Sequence, residues 1–136
     1  MQVGKYPEAM YRVSLKAIIR NTKGEVLVAR EKGYGWSLPG GGVDHGEALE
    51  AALARELYEE VLIDQSFTYE YIGMDAFYVE NREHWQMWLV YELTVKDGYT
   101  FGAGVDADEV AFIDPQTFKD STRFSEQLVY KWTVER

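Results

Sequence analysis

The sequence predicts an α/β fold built around a mixed β-sheet, and three observations predict it. Runs with the two-residue period of strands, beginning at Val13–Ile19, are interleaved with a stretch from Glu47 to Leu62 that contains no Gly or Pro and is dense in Ala, Leu and Glu. Two long β-rich runs, Phe67–Val79 and Trp85–Val95, are joined by Glu80-Asn81-Arg82-Glu83, a connection short enough for a hairpin. Hairpins give antiparallel pairs and helical crossovers give parallel ones, so both kinds are expected in one sheet. At 136 residues, 46% of them hydrophobic, the chain is expected to form one domain over residues 1–136 with a core that needs no staples.

The elements follow in order. Val13, Leu15, Ala17 and Ile19 alternate with Ser14, Lys16 and Ile18 as a first strand. Asn21-Thr22-Lys23-Gly24 reads as a turn, and Glu25–Arg30 as a returning strand. The glycine-rich segment Gly33–Gly42 leads into the helix. After the two long strands, a loop rich in Gly and Asp precedes a short strand, Val110–Ile113. Phe124, Leu128 and Trp132 recur at helical spacing and predict a terminal amphipathic helix.

Composition excludes several functions. The chain has no cysteine, which removes disulfide scaffolds, thiolate metal sites and cysteine nucleophiles. Its 14 Lys and Arg stand against 23 Asp and Glu, and a net charge of −9 opposes binding to a nucleic-acid duplex. A small anionic substrate is still allowed, because a bound cation can reverse the local sign. The opening Met1–Glu8 has no apolar core of a secretory signal, and no apolar run approaches the roughly 20 residues of a membrane span. A cytoplasmic protein with no membrane partner is expected.

The helix carries the chemistry. On a helix Glu56, Glu59 and Glu60 share a wedge of roughly 100°, together with Leu49, Ala52 and Leu53, so the carboxylates border the buried stripe. Like charges four residues apart repel, burial raises the cost, and acidic groups sit badly at a helix C-terminus. A hard divalent cation such as Mg²⁺ or Mn²⁺ removes all three objections. The bland alternative is a solvated acidic face with Arg55 and Glu59 as an i,i+4 pair.

The residues before the helix sharpen the choice. Gly41, five residues, Glu47, seven residues, then Arg55-Glu56-Leu57-Tyr58-Glu59-Glu60 and Val61-Leu62-Ile63 span positions 41–63. This pattern, with its lead-in Trp36-Ser37-Leu38-Pro39-Gly40, resembles the Nudix box of the MutT-like Nudix hydrolases. One position departs: the family's Gly after the Glu pair is Leu62 here. A left-handed helix end costs a Leu roughly 1–2 kcal/mol, so the helix is expected to run on through Leu62, with its side chain packed near Leu57 or Ile63.

The resemblance implies an α/β/α sandwich with a mixed central sheet and a Mg²⁺- or Mn²⁺-dependent diphosphatase acting on a small nucleoside diphosphate derivative. It implies Glu56 and Glu60 as metal ligands, Glu59 as a third, and the Gly40 carbonyl as a further one. Arg55 would orient the carboxylates, while Gly41 and Glu47 are structural, Glu47 as a partner of Arg55. Glu56 and Glu59 are candidates for the general base. Asp108 and Glu109 are candidates for an additional acidic ligand or base, against the plainer reading of a solvated loop. Arg30 is a candidate phosphate contact, and Tyr34, Phe77, Trp85 and Trp88 are candidates for stacking on a base or for the core. Trp36 reads as packing, and neither His45 nor His84 receives a role. Two alternatives stand beside this one. A catalytically silent nucleotide sensor is favoured only by Leu62, and an isoprenoid diphosphate isomerase is opposed by the absence of cysteine. The exact substrate, the number of metal ions and the choice between monomer and homodimer stay open at this level.

Overall fold

The computed structural model describes residues 10–64, 67–95 and 98–135. The opening stretch, in which no secretory signal is expected, lies outside the described residues. No helix among the described residues is long and apolar enough to cross a membrane. The main sheet has four strands in the order β3 (Gly40–Gly42), β1 (Tyr11–Ile19), β5 (His84–Thr94) and β4 (Thr68–Val79). β1 runs parallel to β5 and antiparallel to β3, and β4 pairs antiparallel with β5, so the sheet is mixed as the sequence predicts. β2 (Val26–Arg30) and β6 (Glu109–Ile113) form a second, antiparallel pair.

The returning strand at Glu25–Arg30 needs a correction. It does not zip onto β1. A single bridge joins Arg20 to Val26, and the chain then diverges to pair β2 with β6. All four of Val26, Leu27, Val28 and Ala29 are buried, so β2 is covered on both faces, and a strand of that kind reads the same wherever its partner comes from.

Alternation along β1 divides the core in two. Leu15, Ala17 and Ile19 face α1 (Leu49–Val61), joining Ala52, Leu53, Leu57 and Val61. Ile18 faces the other way, with Trp88 and Val90 of β5, towards Leu128 and Val129 of α2 (Phe124–Tyr130). Helices thus lie on both faces of a mixed sheet. The terminal helix is shorter than Phe124–Trp132 implies: after Tyr130 it widens into a π turn over Lys131–Glu135, which still buries Trp132. The first helix also begins late, and Leu49 in its first turn stays exposed.

Candidate active site

The site forms where the three-residue strand β3 meets α1. Gly40 has φ +132°, and a Cβ there would lie 1.9 Å from the Leu15 carbonyl oxygen, so only glycine fits against β1. Gly41 serves a different closeness: a Cβ on it would stand 2.2 Å from Glu56 Oε2. The loop backbone therefore lies directly against the first carboxylate of the helix.

Arg55 organises the carboxylates. Its Nε and Nη2 each donate to Glu47 at 2.8 Å, a two-pronged pair that ties the helix to the segment preceding it. Nη2 also donates to the Gly42 carbonyl at 3.0 Å. Nη1 donates to Glu56 Oε1 at 2.9 Å and to Glu59 Oε2 at 3.2 Å. These bonds hold the Glu47 carboxyl down to about 2 and raise the Arg55 guanidinium further above its ordinary value. Glu56 behaves in the opposite way. Burial pushes its carboxyl up, against the pull of Arg55.

Among the described residues, the carboxylates that gather at the spacing of metal ligands are Glu56, Glu59 and Asp106, with one oxygen of each within 4.8 Å of the other two. Glu60 is turned elsewhere. It accepts from the Gly40 amide at 3.3 Å, and burial lifts its carboxyl to about 7. The cation beside it is Lys16, whose Nζ donates to the carbonyls of Leu38 at 3.1 Å and Gly40 at 3.5 Å and lies 5.0 Å from the centroid of the Trp88 ring. Burial lowers the Lys16 pKa, while the charges of Glu60 and Glu56 oppose the shift.

Asp106 and Lys16 are site residues that the sequence pattern misses, as are Arg12, Arg82 and Phe124 in the cleft lining. Asp106 arrives on a loop that closes the C-terminus of α1: the amides of Gly102, Gly104 and Asp106 donate to the carbonyls of Val61, Glu60 and Glu59. A Cβ on Gly104 would lie 2.1 Å from the Glu59 carbonyl oxygen, so Gly-x-Gly-x-Asp over 102–106 is the signal that could have pointed to it. The sequence candidates two and three residues on have other partners. Asp108 accepts from the Lys32 amide at 2.7 Å, and Glu109 pairs with Arg30 at 3.0 Å.

These residues border a cleft of about 570 Å³, a size suited to a nucleotide. Glu56, Glu60 and Asp106 contribute to its lining, and Arg12, Lys16, Arg30 and Arg82 bring positive charge to it. Arg30 stacks on Trp36 with its guanidinium carbon 4.2 Å from the ring centroid, so Trp36 does more than pack. Phe77, Trp88 and exposed Tyr34 line the cleft, and Phe77 meets Phe124 edge to face at 5.1 Å. Trp85 does not line it; half-exposed, it clusters with Tyr11 and Tyr78. His84 lies 3.0 Å from Gln86, which donates to Ser14, and His45 is exposed.

Leu62 overturns the expectation of a helix that runs on. Its φ of 63° and ψ of 32° are left-handed, and the residue is 39% exposed. The reversal brings buried Ile63 back over the last turn, where its amide donates to the Leu57 carbonyl at 3.3 Å.

The model of the NUDIX domain matches residues 10–132. An RNA pyrophosphohydrolase of Shewanella piezotolerans is 38% identical over 84 residues, which are 61% of this chain and 42% of that relative. The chain thus matches less than half the length of that curated relative. Among solved structures, a MutT protein from Methanosarcina mazei superposes with a TM-score of 0.73 at 24% identity, covering 96% of this chain and 97% of that one. The dihydroneopterin triphosphate pyrophosphohydrolase of E. coli gives 0.72 at 17% identity, over 93% and 99%. At such identities the two structures speak for the fold. With the family model covering nearly all the described residues and the box seated on α1, the chain belongs to the Nudix hydrolase family.

Proposed function

We propose that this chain hydrolyses the diphosphate linkage of a small nucleoside diphosphate derivative, with a nucleoside 5′-triphosphate or the 5′-triphosphate end of an RNA as the best-supported class. The carrying observation is the convergence of Glu56, Glu59 and Asp106 beside a cleft lined by four cationic side chains. The printed name of the Shewanella relative, an RNA pyrophosphohydrolase, points the same way. The proposed compartment is the cytoplasm.

The residues fit a hard divalent cation: three carboxylates converge, and Gly41 lets Glu56 lie against the loop backbone. Glu56, Glu59 and Asp106 would hold Mg²⁺ or Mn²⁺, with Glu60 and the Gly40 carbonyl as further donors on the Lys16 side. When bound, the ion supplies charge neutralisation at the attacked phosphoryl group and makes a coordinated water more acidic. Arg55 keeps Glu56 and Glu59 in place through one nitrogen, so neither carboxylate reorganises during the reaction. Water adds to a phosphorus as the bridging P–O bond breaks, and its proton passes to Glu56 or Glu59. Arg30 and Lys16 stabilise the phosphate charge, and Phe77 and Phe124 offer faces for a base.

A panel of nucleoside triphosphates, nucleotide sugars, dinucleoside polyphosphates and a 5′-triphosphorylated oligonucleotide, with Mg²⁺ or Mn²⁺, tests this reading. Release of pyrophosphate or phosphate from the triphosphates, abolished by EDTA, is the expected result. Binding of the same compounds without turnover at any divalent-ion concentration would instead indicate a sensor.

A further inference from the structure

We infer that a second copy of this chain docks on the part of the main sheet that α1 leaves bare, giving a homodimer held by an uncharged aromatic face. Tyr11, Tyr69, Tyr71, Met74, Tyr78 and Trp85 make this face, and none of them lines the cleft.

Strand register brings the six together. Tyr11 and Tyr78 both stand opposite Trp85, and Met74 stands opposite Leu89, itself the partner of Leu15 on β1. These positions therefore share the face on which Leu15, Ala17 and Ile19 meet α1. The register shift between Tyr71 and Gly73 keeps Tyr71 and Tyr69, opposite Tyr91 and Leu93, on that face as well. α1 packs on β3 and β1. Beyond it the six side chains are each 40% to 52% exposed. Their rings meet across the strands: Trp85 lies 5.8 Å from Tyr11 and 5.7 Å from Tyr78, and Tyr91 lies 5.8 Å from Tyr69 and 5.6 Å from Tyr71.

Area and charge both select a second copy as the occupant. At about half exposure, side chains of this size each present about 100 Å², so the six offer about 600 Å². Half-buried Val13 and Met87, and exposed Leu49 in the first turn of α1, bring the face close to the ~800 Å² that each partner gives to a stable interface. Tyr, Trp and Met are also the residues enriched at such interfaces. The charged side chains of these strands, Arg12, Lys16, Glu70, Asp75 and Glu92, alternate onto the opposite face. Two chains of net charge −9 repel each other, and they repel least where both present neutral surface. A polyanion would need cations here and a basic partner would need carboxylates. The face offers neither, so its complement is a surface like itself, which a two-fold axis supplies.

Sedimentation velocity and light scattering over about 1 to 200 µM protein test this, in EDTA and without nucleotide, so the result does not depend on whether the cleft hydrolyses anything. The wild type should be dimeric at the upper end of that range. Trp85→Glu should weaken association at least about thirtyfold, as loss of a central aromatic anchor does. Should that variant fail to fold, Met74→Glu, at a half-exposed position, should act in the same way. Gln116→Glu adds the same charge at an exposed position on the α2 side and should leave the dimer intact. Because the chain has no cysteine, Met74→Cys gives a single thiol, whose maleimide labelling should slow at least about tenfold at dimer-forming concentration, while Gln116→Cys labels at one rate throughout. A wild type still monomeric at about 200 µM would leave the face to some other partner or covering segment and overturn the inference. A dimer that persists in folded Trp85→Glu and Met74→Glu alike, or Met74→Cys labelled at one rate throughout, would place the interface elsewhere and overturn it too.

Discussion

Leu62 and Glu60 show how single residues at the end of α1 carry costs that a glycine or a metal would relieve. Leu62 is held at φ 63° because the helix carbonyls of Glu59, Glu60 and Val61 are taken by the 102–106 loop and Ile63 must turn back into the core. In a right-handed helix Ala is about 1 kcal/mol better than Gly; in a left-handed position the order inverts. Leu62→Gly should therefore be more stable than Leu62→Ala by about 1 kcal/mol in urea unfolding, and Ala at or above Gly would mean that the left-handed turn is absent. At Glu60 the metal-free carboxyl titrates near 7, against an ordinary 4.5. Between those values the native state holds more protons than the unfolded chain. The contribution, no more than about 3 kcal/mol, is therefore complete below pH 4.5 and lost as pH rises through 7. Glu56 is shifted in the same direction, while Glu47, held down to about 2, loses its contribution only in stronger acid. Urea unfolding in EDTA should thus show the wild type losing stability between pH 5 and pH 8, relative to Glu60→Gln. Parallel pH profiles for the two proteins would remove Glu60 as the titrating group.

At the scale of elements, the contrast between α1 and the 102–106 loop explains what the sequence discloses about the site. The partnership of Glu47, Arg55, Glu56 and Glu59 is local. Helical geometry alone decides that residues three and four apart share a face, so spacing is enough to read it. Asp106 joins the same carboxylates from far along the chain, and only tertiary docking decides which acid of Asp106, Asp108 and Glu109 arrives. The three are near-equivalent by composition, yet the amide of Asp106 bonds Glu59, Asp108 caps the Lys32 backbone, and Glu109 pairs across β2 and β6 with Arg30. Lys16 is hidden for a similar reason, since alternation marks its face of β1 but not that a cleft lies over it. The loop is therefore a place to test. Gly104→Ala would push a methyl group against the Glu59 carbonyl and should cost about 2 kcal/mol or more, with weakened Mn²⁺ binding as Asp106 moves. Asp106→Asn leaves the amide cap intact, so it should keep its stability in EDTA and lose roughly tenfold or more in Mn²⁺ affinity. Equal Mn²⁺ affinity in Asp106→Asn would exclude the aspartate as a ligand.

Across the whole molecule, layer order is readable because apolar alternation in β1 and β5 and helical spacing in α1 and α2 each declare a buried face. Pairing is not, because β2, buried on both sides, carries no mark of its partner β6. The frame that results places several acidic side chains around one glycine-rich strand in a chain whose net charge is already −9. Like charges held together by the fold work against folding until a cation arrives, so the site and the stability of the molecule are coupled. An ion bound only by the native state adds RT ln(1 + [L]/Kd), about 2.7 kcal/mol at a hundredfold excess over Kd, or about 10 °C in melting temperature for a chain of this size. Glu56→Gln separates the two halves of that coupling. Its amide oxygen can still accept from Arg55 Nη1, now 2.9 Å from Glu56 Oε1, while the buried charge is gone. In EDTA it should melt at or above the wild type; with saturating Mn²⁺ the order should reverse, because only the wild type gains the full binding energy. A Glu56→Gln deficit of the same size with and without Mn²⁺ would make Glu56 a structural partner of Arg55 and not a ligand.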